Sequence, residues 1–329
     1  MADDLAVLHD GHRVHRFDDL APGREHQLLG HHVRTLDRPA GELLCRFATV
    51  NDVHFGEVEA GRIDDLTEGP VQRVEPGEPP YPDTMNQAAA DEIAAAGITT
   101  VIVKGDLTSD GQDEEFDAFE RCYRDRFGSG LHVVRGNHDS YRGQERCVGD
   151  ARIDLPGVTI ALIDTVIPEH TTGQVRAHTL EWLDELAAGA DRSVIVMGHH
   201  QQWTNGRRSP DYFGINPDDS DALTDVIARR RSIVAYSAGH THRHRVRHLA
   251  GAGGVPSIEV GCTKDFPGTW AEHRVYEGGI VHVVHRMSSP AALAWSERCR
   301  HLYLDFGIDY ETYALGELDD RCFVIEHRD

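Results

Sequence analysis

Five short polar clusters in the sequence carry residue types that bind metal ions. Each cluster follows a short apolar run, and together they are Asp52-Val53-His54, Gly105-Asp106, Gly136-Asn137-His138-Asp139, Gly198-His199-His200 and Gly239-His240-Thr241-His242. Carboxylates, imidazoles and a carboxamide are the donors expected around divalent transition metals. In extended backbone, residues two apart point to the same side, so each Asp-x-His or His-x-His pair can face one ion.

A centre of two metal ions about 3.5–4 Å apart needs a shared ligand. A carboxylate has two oxygens and can bridge the ions, whereas an imidazole does not do so easily. Asp106 is the candidate for this bridge. The glycines that precede Asp106, Asn137, His199 and His240 allow sharp backbone turns, which would bring short side chains to a common point.

Five short apolar runs rich in β-branched residues, four of which precede these clusters, predict buried strands. They cover residues 43–50, 98–103, 131–134, 158–163 and 193–197. Segments of helical composition lie between them, at residues 82–96, 113–126, 176–188 and 218–231. This alternation predicts an α/β layered fold, in which loops beyond the carboxyl ends of the strands form the site.

The rest of the chain has a different sequence pattern. After Val246, short apolar pieces broken by glycine predict a second, partly antiparallel sheet, and residues 290–302 and 321–326 predict a last helix and a last strand. Near the N-terminus, Phe17–Gly23 is expected to be the turn of a β-hairpin extension, and residues 57–82 are expected to be a loop. We therefore expect an N-terminal β extension (1–42), a central catalytic domain (43–288) and a C-terminal extension packed on it (289–329).

Composition excludes several classes of function. The 329 residues include 33 Lys and Arg against 55 Asp and Glu, and the net charge of −22 disfavours nucleic-acid polymers as partners. The sequence shows no apolar stretch of the ~18 residues that a membrane span needs, and the first 30 residues do not resemble a signal peptide. Six widely spaced cysteines indicate a reducing compartment, so we expect a soluble cytoplasmic protein.

The ordered set D-x-H, G-D, G-N-H-D, G-H and G-H-x-H resembles the calcineurin-like metallophosphoesterase superfamily. The resemblance implies a four-layer αββα sandwich with two mixed β-sheets around two transition-metal ions, which could be Mn, Fe or Zn. It also implies two ligand sets that share one residue: Asp52, His54, Asp106 and His242 for one ion, and Asp106, Asn137, His199 and His240 for the other. His138 would then protonate the leaving oxygen, with Asp139 orienting it.

The resemblance also implies hydrolysis of phosphoesters by a metal-bound hydroxide. In pattern the chain is most similar to bacterial class III cyclic-nucleotide phosphodiesterases and glycerophosphodiesterases, although Gln201-Gln202 stand where those enzymes often have two prolines. We therefore expect a small phosphodiester as the substrate. The alternatives are a phosphomonoesterase or protein phosphatase, a nuclease, and a metal-binding scaffold without activity; a homo-oligomer also stays open.

Several further residues lie near the clusters in sequence. Trp203, Arg207 and Arg208 follow His199 and are candidates for contact with the substrate, because an aromatic ring and two guanidinium groups could stack on a base or clamp a phosphate. We interpret His200 as a background histidine because it lies outside the pattern. Asp164 is expected to end a hairpin, and the Lys264–Trp270 segment could serve packing or recognition equally.

Overall fold

The computed structural model describes residues 1–63 and 70–328. Two six-stranded mixed sheets pack face to face, and helices cover the outer face of each. Buried side chains from both sheets, such as Ile102, Met197 and Ile258, fill the space between them. This confirms the predicted four-layer αββα sandwich.

The first sheet combines strands from the middle and the end of the chain. Its spatial order is β16 (Cys322–Glu326), β15 (Gly279–Arg286), β14 (Thr269–Tyr276), β5 (Leu43–Val50), β6 (Val101–Lys104) and β7 (Leu131–Val134). Strands β5, β6 and β7 are parallel, and the other neighbours pair antiparallel. The carboxyl ends of β5, β6 and β7 therefore meet at one edge of the sheet.

The second sheet begins earlier in the chain than the sequence predicts. Its order is β12 (Arg245–Leu249), β13 (Val255–Glu259), β11 (Ile233–Ala238), β10 (Ser193–Met197), β9 (Val158–Leu162) and β8 (Ala151–Leu155). The prediction of a separate sheet after Val246 is wrong. Strands β12 and β13 extend the second sheet, and β14 pairs with β5 of the first sheet. Every residue of β14 is buried, and a strand buried on both faces needs a central position in a sheet.

Helices form the two outer layers. On the side of the first sheet these are α1 (Tyr81–Ala95), α2 (Asp113–Phe119), α3 (Asp125–Phe127), α6 (Pro290–Arg298) and α7 (Tyr310–Leu315), and on the side of the second sheet α4 (Ala177–Ala188) and α5 (Pro217–Arg229). A π-helical turn, Glu120–Arg124, joins α2 to α3. Helix α5 begins with Pro217, and the Asn216 side chain accepts a hydrogen bond from the Asp219 N–H, as expected at a helix start. Of the described helices, none combines the length and apolar character that a membrane crossing requires.

The N-terminal extension contains two hairpins where the sequence predicts one. Strand β1 (Ala6–Asp10) pairs with β2 (Arg13–Phe17), and β3 (Glu25–Leu28) pairs with β4 (His31–Arg34). The segment Phe17–Gly23, predicted as a turn, instead connects the hairpins. The two tight turns contain Gly11 and Gly30, whose φ values of 55° and 84° suit glycine.

The C-terminal segment completes the first sheet. Helix α6 ends at Arg298, four residues before the predicted end, and β16 pairs antiparallel with β15. The predicted loop 57–82 has no helix or long strand in its described part before α1 begins at Tyr81, and residues 64–69 of that prediction lie outside the described residues. The division into three parts stays a prediction.

Candidate metal centre

The five polar clusters follow five strands whose carboxyl ends lie at the same end of the sandwich. Three clusters follow β5, β6 and β7 of the first sheet, and two follow β10 and β11 of the second. Hydrogen bonds tie the clusters together within and between the sheets. The Asp52 N–H donates to the Gly105 carbonyl (3.1 Å), and the His240 N–H, which follows a strand of the second sheet, donates to Asp52 Oδ1 (3.0 Å). The two sheets thus contribute to one site.

The backbone at this site adopts a conformation that non-glycine residues seldom take. Five of the predicted ligands have φ between 44° and 67°, namely Asp52, His54, Asp106, His240 and His242. Left-handed backbone costs about 1 kcal/mol or more at each such residue and clusters at functional sites. Close approach matters as well, because a Cβ at Gly136 would collide with the Asp106 carboxylate.

Asp106 lies between two groups of side chains. Its Oδ2 atom is 3.3 Å from Nε2 of His54 and 3.3 Å from Nε2 of His199. Its other oxygen, Oδ1, accepts a hydrogen bond from the His138 N–H (3.0 Å). One carboxylate therefore faces both groups, as a bridging ligand would.

The first group contains Asp52, His54 and His242. One donor atom from each lies within 4.8 Å of the others, and Asp52 Oδ1 is 3.5 Å from Nε2 of His242. In the second group, Nε2 of His199 lies 3.1 Å from Asn137 Oδ1 and 3.2 Å from Nδ1 of His240. All seven predicted ligands are thus brought together.

Unpartnered atoms in the two groups fit metal ions. Both ring nitrogens of His54 and Nε2 of His240 are buried without a hydrogen-bond partner. A buried polar atom without a partner is costly, and coordination removes this cost for a nitrogen that faces an ion. Carboxylate, imidazole and carboxamide donors in this number suit divalent transition metals.

The electrostatics of the site keep its carboxylates charged. Burial opposes ionisation of Asp52, but the neighbouring His242 outweighs it and lowers the Asp52 pKa to about 2. Asp106 behaves alike, since His199 and His138 hold its pKa well below the ordinary value in spite of burial. Burial, followed by the charge of Lys264, lowers the pKa of His54 to about 4. The same carboxylates also hold a proton at the site: burial opposes a charged His199, but Asp106 and Asp52 raise its pKa to about 9. A metal ion that binds to the ionised carboxylates would displace this proton.

His138 adjoins the first group but has a different partner. Its Nδ1 lies 2.6 Å from the Ser109 carbonyl oxygen, which can only accept, so Nδ1 carries a proton. Its ring packs edge-on against His54, with centroids 4.5 Å apart. A half-buried imidazole beside the ligands is placed to exchange protons with a bound substrate.

The Asp139 carboxylate has different hydrogen-bond partners from the predicted one. Its oxygens accept hydrogen bonds from the backbone N–H groups of Gly136 (2.8 Å), Leu107 (3.0 Å) and Thr108 (2.8 Å). The prediction that it orients the His138 ring is wrong, because the Ser109 carbonyl contacts that ring. Asp139 instead joins the loops that carry Asp106 and Asn137.

Two residues that the sequence left in the background support the site. His200 is buried, its Nδ1 lies 2.8 Å from Thr165 Oγ1, and its ring centroid is 4.6 Å from that of His240. Asp164 does more than end a hairpin, since its carboxylate accepts hydrogen bonds from Nε of Arg135 at 3.0 and 3.2 Å, directly before Gly136. In the sequence, the position of His200 directly after the predicted ligand His199 was the feature that could have indicated its role.

The predicted substrate residues have other partners. The Arg208 guanidinium lies 4.7 Å from the Trp203 ring centroid and pairs with Asp218 (2.6 Å) and Asp221 (2.8 Å) at the start of α5. These carboxylates compensate its charge, which argues against a phosphate clamp at Arg208. Substrate contact by Trp203 and by the exposed Arg207 stays a prediction.

A different aromatic residue in the same loop reaches the centre. The ring of Phe213 stacks on His240, with centroids 4.1 Å apart and an interplanar angle of 26°. Sequence analysis missed this residue because it lies 13 positions after His200 with no motif around it.

An ion pair lies beside the first group. Lys264 is 2% exposed, and its Nζ is 2.6 Å from Glu57 Oε1 and 3.7 Å from Asp265 Oδ2. Burial opposes ionisation of Glu57, but Lys264 outweighs it and lowers the Glu57 pKa to about 2. Asp265 also lies within 4.8 Å of a ring nitrogen of His242. The Lys264 segment therefore lies beside the first ligand group, which its composition alone did not reveal.

Comparison with curated proteins gives two distant relatives. One is a probable glycerophosphodiester phosphodiesterase of Arcobacter nitrofigilis, 24% identical over 156 residues, which cover 44% of this chain and 56% of that protein. The other is a cAMP/cGMP dual specificity phosphodiesterase of Mycobacterium tuberculosis, 28% identical over 155 residues, which cover 43% of this chain and 48% of that protein. The chain thus spans about half the length of the curated relatives it matches.

Comparison of folds and of family patterns extends over more of the chain. A crystal structure of a dimetal phosphatase from Danio rerio superposes with a TM-score of 0.58 at 14% identity, over 87% of this chain and 100% of that one, which shows a shared fold. The family model described as calcineurin-like phosphoesterase matches residues 45–244, a range that contains all seven predicted ligands. The chain therefore belongs to the calcineurin-like phosphoesterase family.

Proposed function

We propose that this phosphoester hydrolase cleaves phosphodiesters of small molecules and uses two transition-metal ions to do so. The observation that carries the proposal is the position of Asp106, with one carboxylate oxygen 3.3 Å from a ring nitrogen in each of two groups of ligands. Such a carboxylate suits a pair of ions that share a ligand. Both curated relatives have names that describe phosphodiesterases.

The ligand sets follow from the two groups around Asp106. Asp52, His54, Asp106 and His242 would hold one ion, and Asp106, Asn137, His199 and His240 the other. Bound divalent ions supply a water molecule of lowered pKa and positive charge that stabilises the phosphoryl oxygens. Mn, Fe and Zn all suit this mixture of oxygen and nitrogen donors.

Neighbouring residues orient the ligands. The Asn137 amide nitrogen donates to the Tyr141 hydroxyl (3.0 Å), which turns Asn137 Oδ1 towards His199. The Nδ1 of His199 lies 2.9 Å from the Lys104 carbonyl oxygen, so Nδ1 is the donor and Nε2 faces the centre. Such contacts fix the tautomer and direction of a ligand.

His138 is the residue that we propose as the general acid. Its Nδ1 proton is held by the Ser109 carbonyl, so the protonated ring offers its second proton at Nε2. The bond from phosphorus to the leaving oxygen breaks as the oxygen of a hydroxide, formed when a water molecule loses a proton to solvent, bonds to phosphorus. The leaving oxygen takes the proton from Nε2. The leaving alcohol of an alkyl diester depends most on this proton.

A substrate screen tests the proposal. The full chain, loaded with Mn²⁺, is assayed with bis(p-nitrophenyl) phosphate, p-nitrophenyl phosphate, cyclic nucleotides and glycerophosphodiesters, with the chelator-treated protein as control. We expect diesterase activity that exceeds monoesterase activity and disappears with the metal. A wide preference for monoesters would favour a phosphomonoesterase instead, and metal binding without any hydrolysis would favour a scaffold.

A further inference from the structure

An aromatic ring beside the second ligand group is only half covered by the protein. Phe213 stacks on the imidazole of His240, yet the residue remains 51% exposed. Full burial of a phenylalanine side chain stabilises by about 1.5–3 kcal/mol. Because the Phe213 ring is half exposed beside His240, a bound molecule that covers it would gain the rest of this free energy. Its position at the centre distinguishes it from an exposed ring on the general surface.

Hydrogen bonds and burial fix the backbone from the Phe213 carbonyl to Ile215. The Gln201 side chain donates a hydrogen bond to the Phe213 carbonyl, and the Ile215 N–H donates to the Gln201 carbonyl (2.9 Å). The carbonyl of Gly214 accepts from the Gly173 N–H (2.8 Å), and Ile215 is fully buried. The loop therefore presents the ring at a defined place instead of leaving it free to fold inwards.

The ring lies on a different side of the centre from the proposed acid. His138 packs against His54 of the first ligand group, whereas Phe213 packs against His240 of the second. A substrate whose leaving oxygen faces His138 can therefore carry another group over Phe213. An aromatic base offers a flat face for stacking, whereas a glycerol group has none.

We infer that Phe213 is a stacking platform for an aromatic base, so that the preferred diesters are nucleotides and not glycerophosphodiesters. This inference rests on the proposed function for the site and narrows its substrate class. Every base has a flat face that can stack on an aromatic side chain, so both purine and pyrimidine nucleotides should bind more tightly because of Phe213.

Binding and turnover of Phe213 variants test the inference. In the Mn²⁺-loaded protein, F213A should lower kcat/KM for cyclic AMP about 5- to 100-fold and leave a glycerophosphodiester within about 2-fold. F213L, which keeps apolar bulk, should lose most of the cyclic AMP preference, and F213W should retain it. F306A removes an exposed phenylalanine outside the site and is the matched control. Equal losses on both substrates would overturn the inference.

Equilibrium binding separates this inference from the proposed function. AMP and glycerol phosphate are titrated into the wild-type and F213A proteins, whose metal contents are measured in parallel. We expect AMP to bind more tightly than glycerol phosphate. F213A should lower the affinity for AMP about 5- to 100-fold and leave the metal content unchanged. If wild type hydrolyses diesters but binds both ligands equally, the inference fails and the function stands. If F213A weakens AMP binding alone in a protein without diesterase activity, the platform stands and the function fails.

Discussion

The Oδ2 atom of Asp106 lies 3.3 Å from Nε2 of His199, and this contact joins the two sheets at the centre. Asp106 follows β6 of the first sheet, and His199 follows β10 of the second. Because each ligand group takes side chains from both sheets, the geometry of each group depends on how the sheets pack. The site is therefore a product of the whole sandwich and not of one loop.

Replacement of the proposed acid should separate proton transfer from metal binding. His138→Ala should keep both metal ions and lower kcat about 10²- to 10⁴-fold on alkyl or nucleoside diesters. The loss on p-nitrophenyl esters should be much smaller, because an activated aryl leaving group needs less protonation. Elemental analysis and kcat on both leaving-group classes check this.

His248→Ala is the matched control for this replacement, because His248 is an exposed histidine whose ring contacts the Gly254 carbonyl. It should change neither metal content nor kcat. Equal kcat losses on both leaving-group classes, or loss of metal from His138→Ala, would show that His138 is not the acid.

Asp139→Asn should act through the backbone of the loops. Its carboxylate accepts from three backbone N–H groups and from the Thr108 hydroxyl, and an amide group would turn an NH₂ donor towards one of these donors. We expect the free energy of unfolding to fall by about 1–3 kcal/mol and kcat to fall by the same factor on both leaving-group classes. Urea unfolding and paired kinetics measure this. A loss confined to poor leaving groups would restore Asp139 as the residue that orients His138.

The Glu57–Lys264 pair should make stability depend on pH. The pKa of Glu57 falls from 4.5 to about 2 on folding, so its contribution is complete above pH 4.5 and is lost as the pH falls from 4.5 towards 2. Glu57→Gln leaves the buried ammonium group of Lys264 with only the more distant carboxylate of Asp265, at 3.7 Å, and should lower the free energy of unfolding at pH 7 by about 3 kcal/mol. Urea unfolding at a series of pH values measures both effects.

Glu120→Gln provides the control for this pair. Glu120 pairs with Arg124 one helical turn away, and both side chains are substantially exposed, at 43% and 39%. The control should cost less than about 0.5 kcal/mol. A cost for Glu57→Gln no larger than this control would show that the pair contributes nothing to folding.

Local pattern made most strands predictable, and it also predicted which donor side chains meet at the centre. The runs before Asp52, Asp106 and Asn137 end in donors at the spacing that a shared centre requires, and the sandwich followed from the resemblance that these motifs carry. The pairing of β14 with β5 was not predictable, because more than 200 residues separate them and no local pattern encodes the partner. The contact of Phe213 with His240 and the hydrogen bonds of Asp139 were not predictable either, since each depends on which loops meet in space.

The metal content of an Asp106 variant tests the central claim most directly. Wild type should bind two Mn²⁺ ions per chain, as measured by isothermal titration and elemental analysis, and Asp106→Ala should lose both ions together with activity, because neither ligand set stays complete. Asp110→Ala, which removes a partly exposed aspartate paired with Arg142, should bind two ions and turn over normally. An Asp106→Ala protein that still binds two ions with near-normal turnover, or that loses only one of them, would contradict a bridging Asp106.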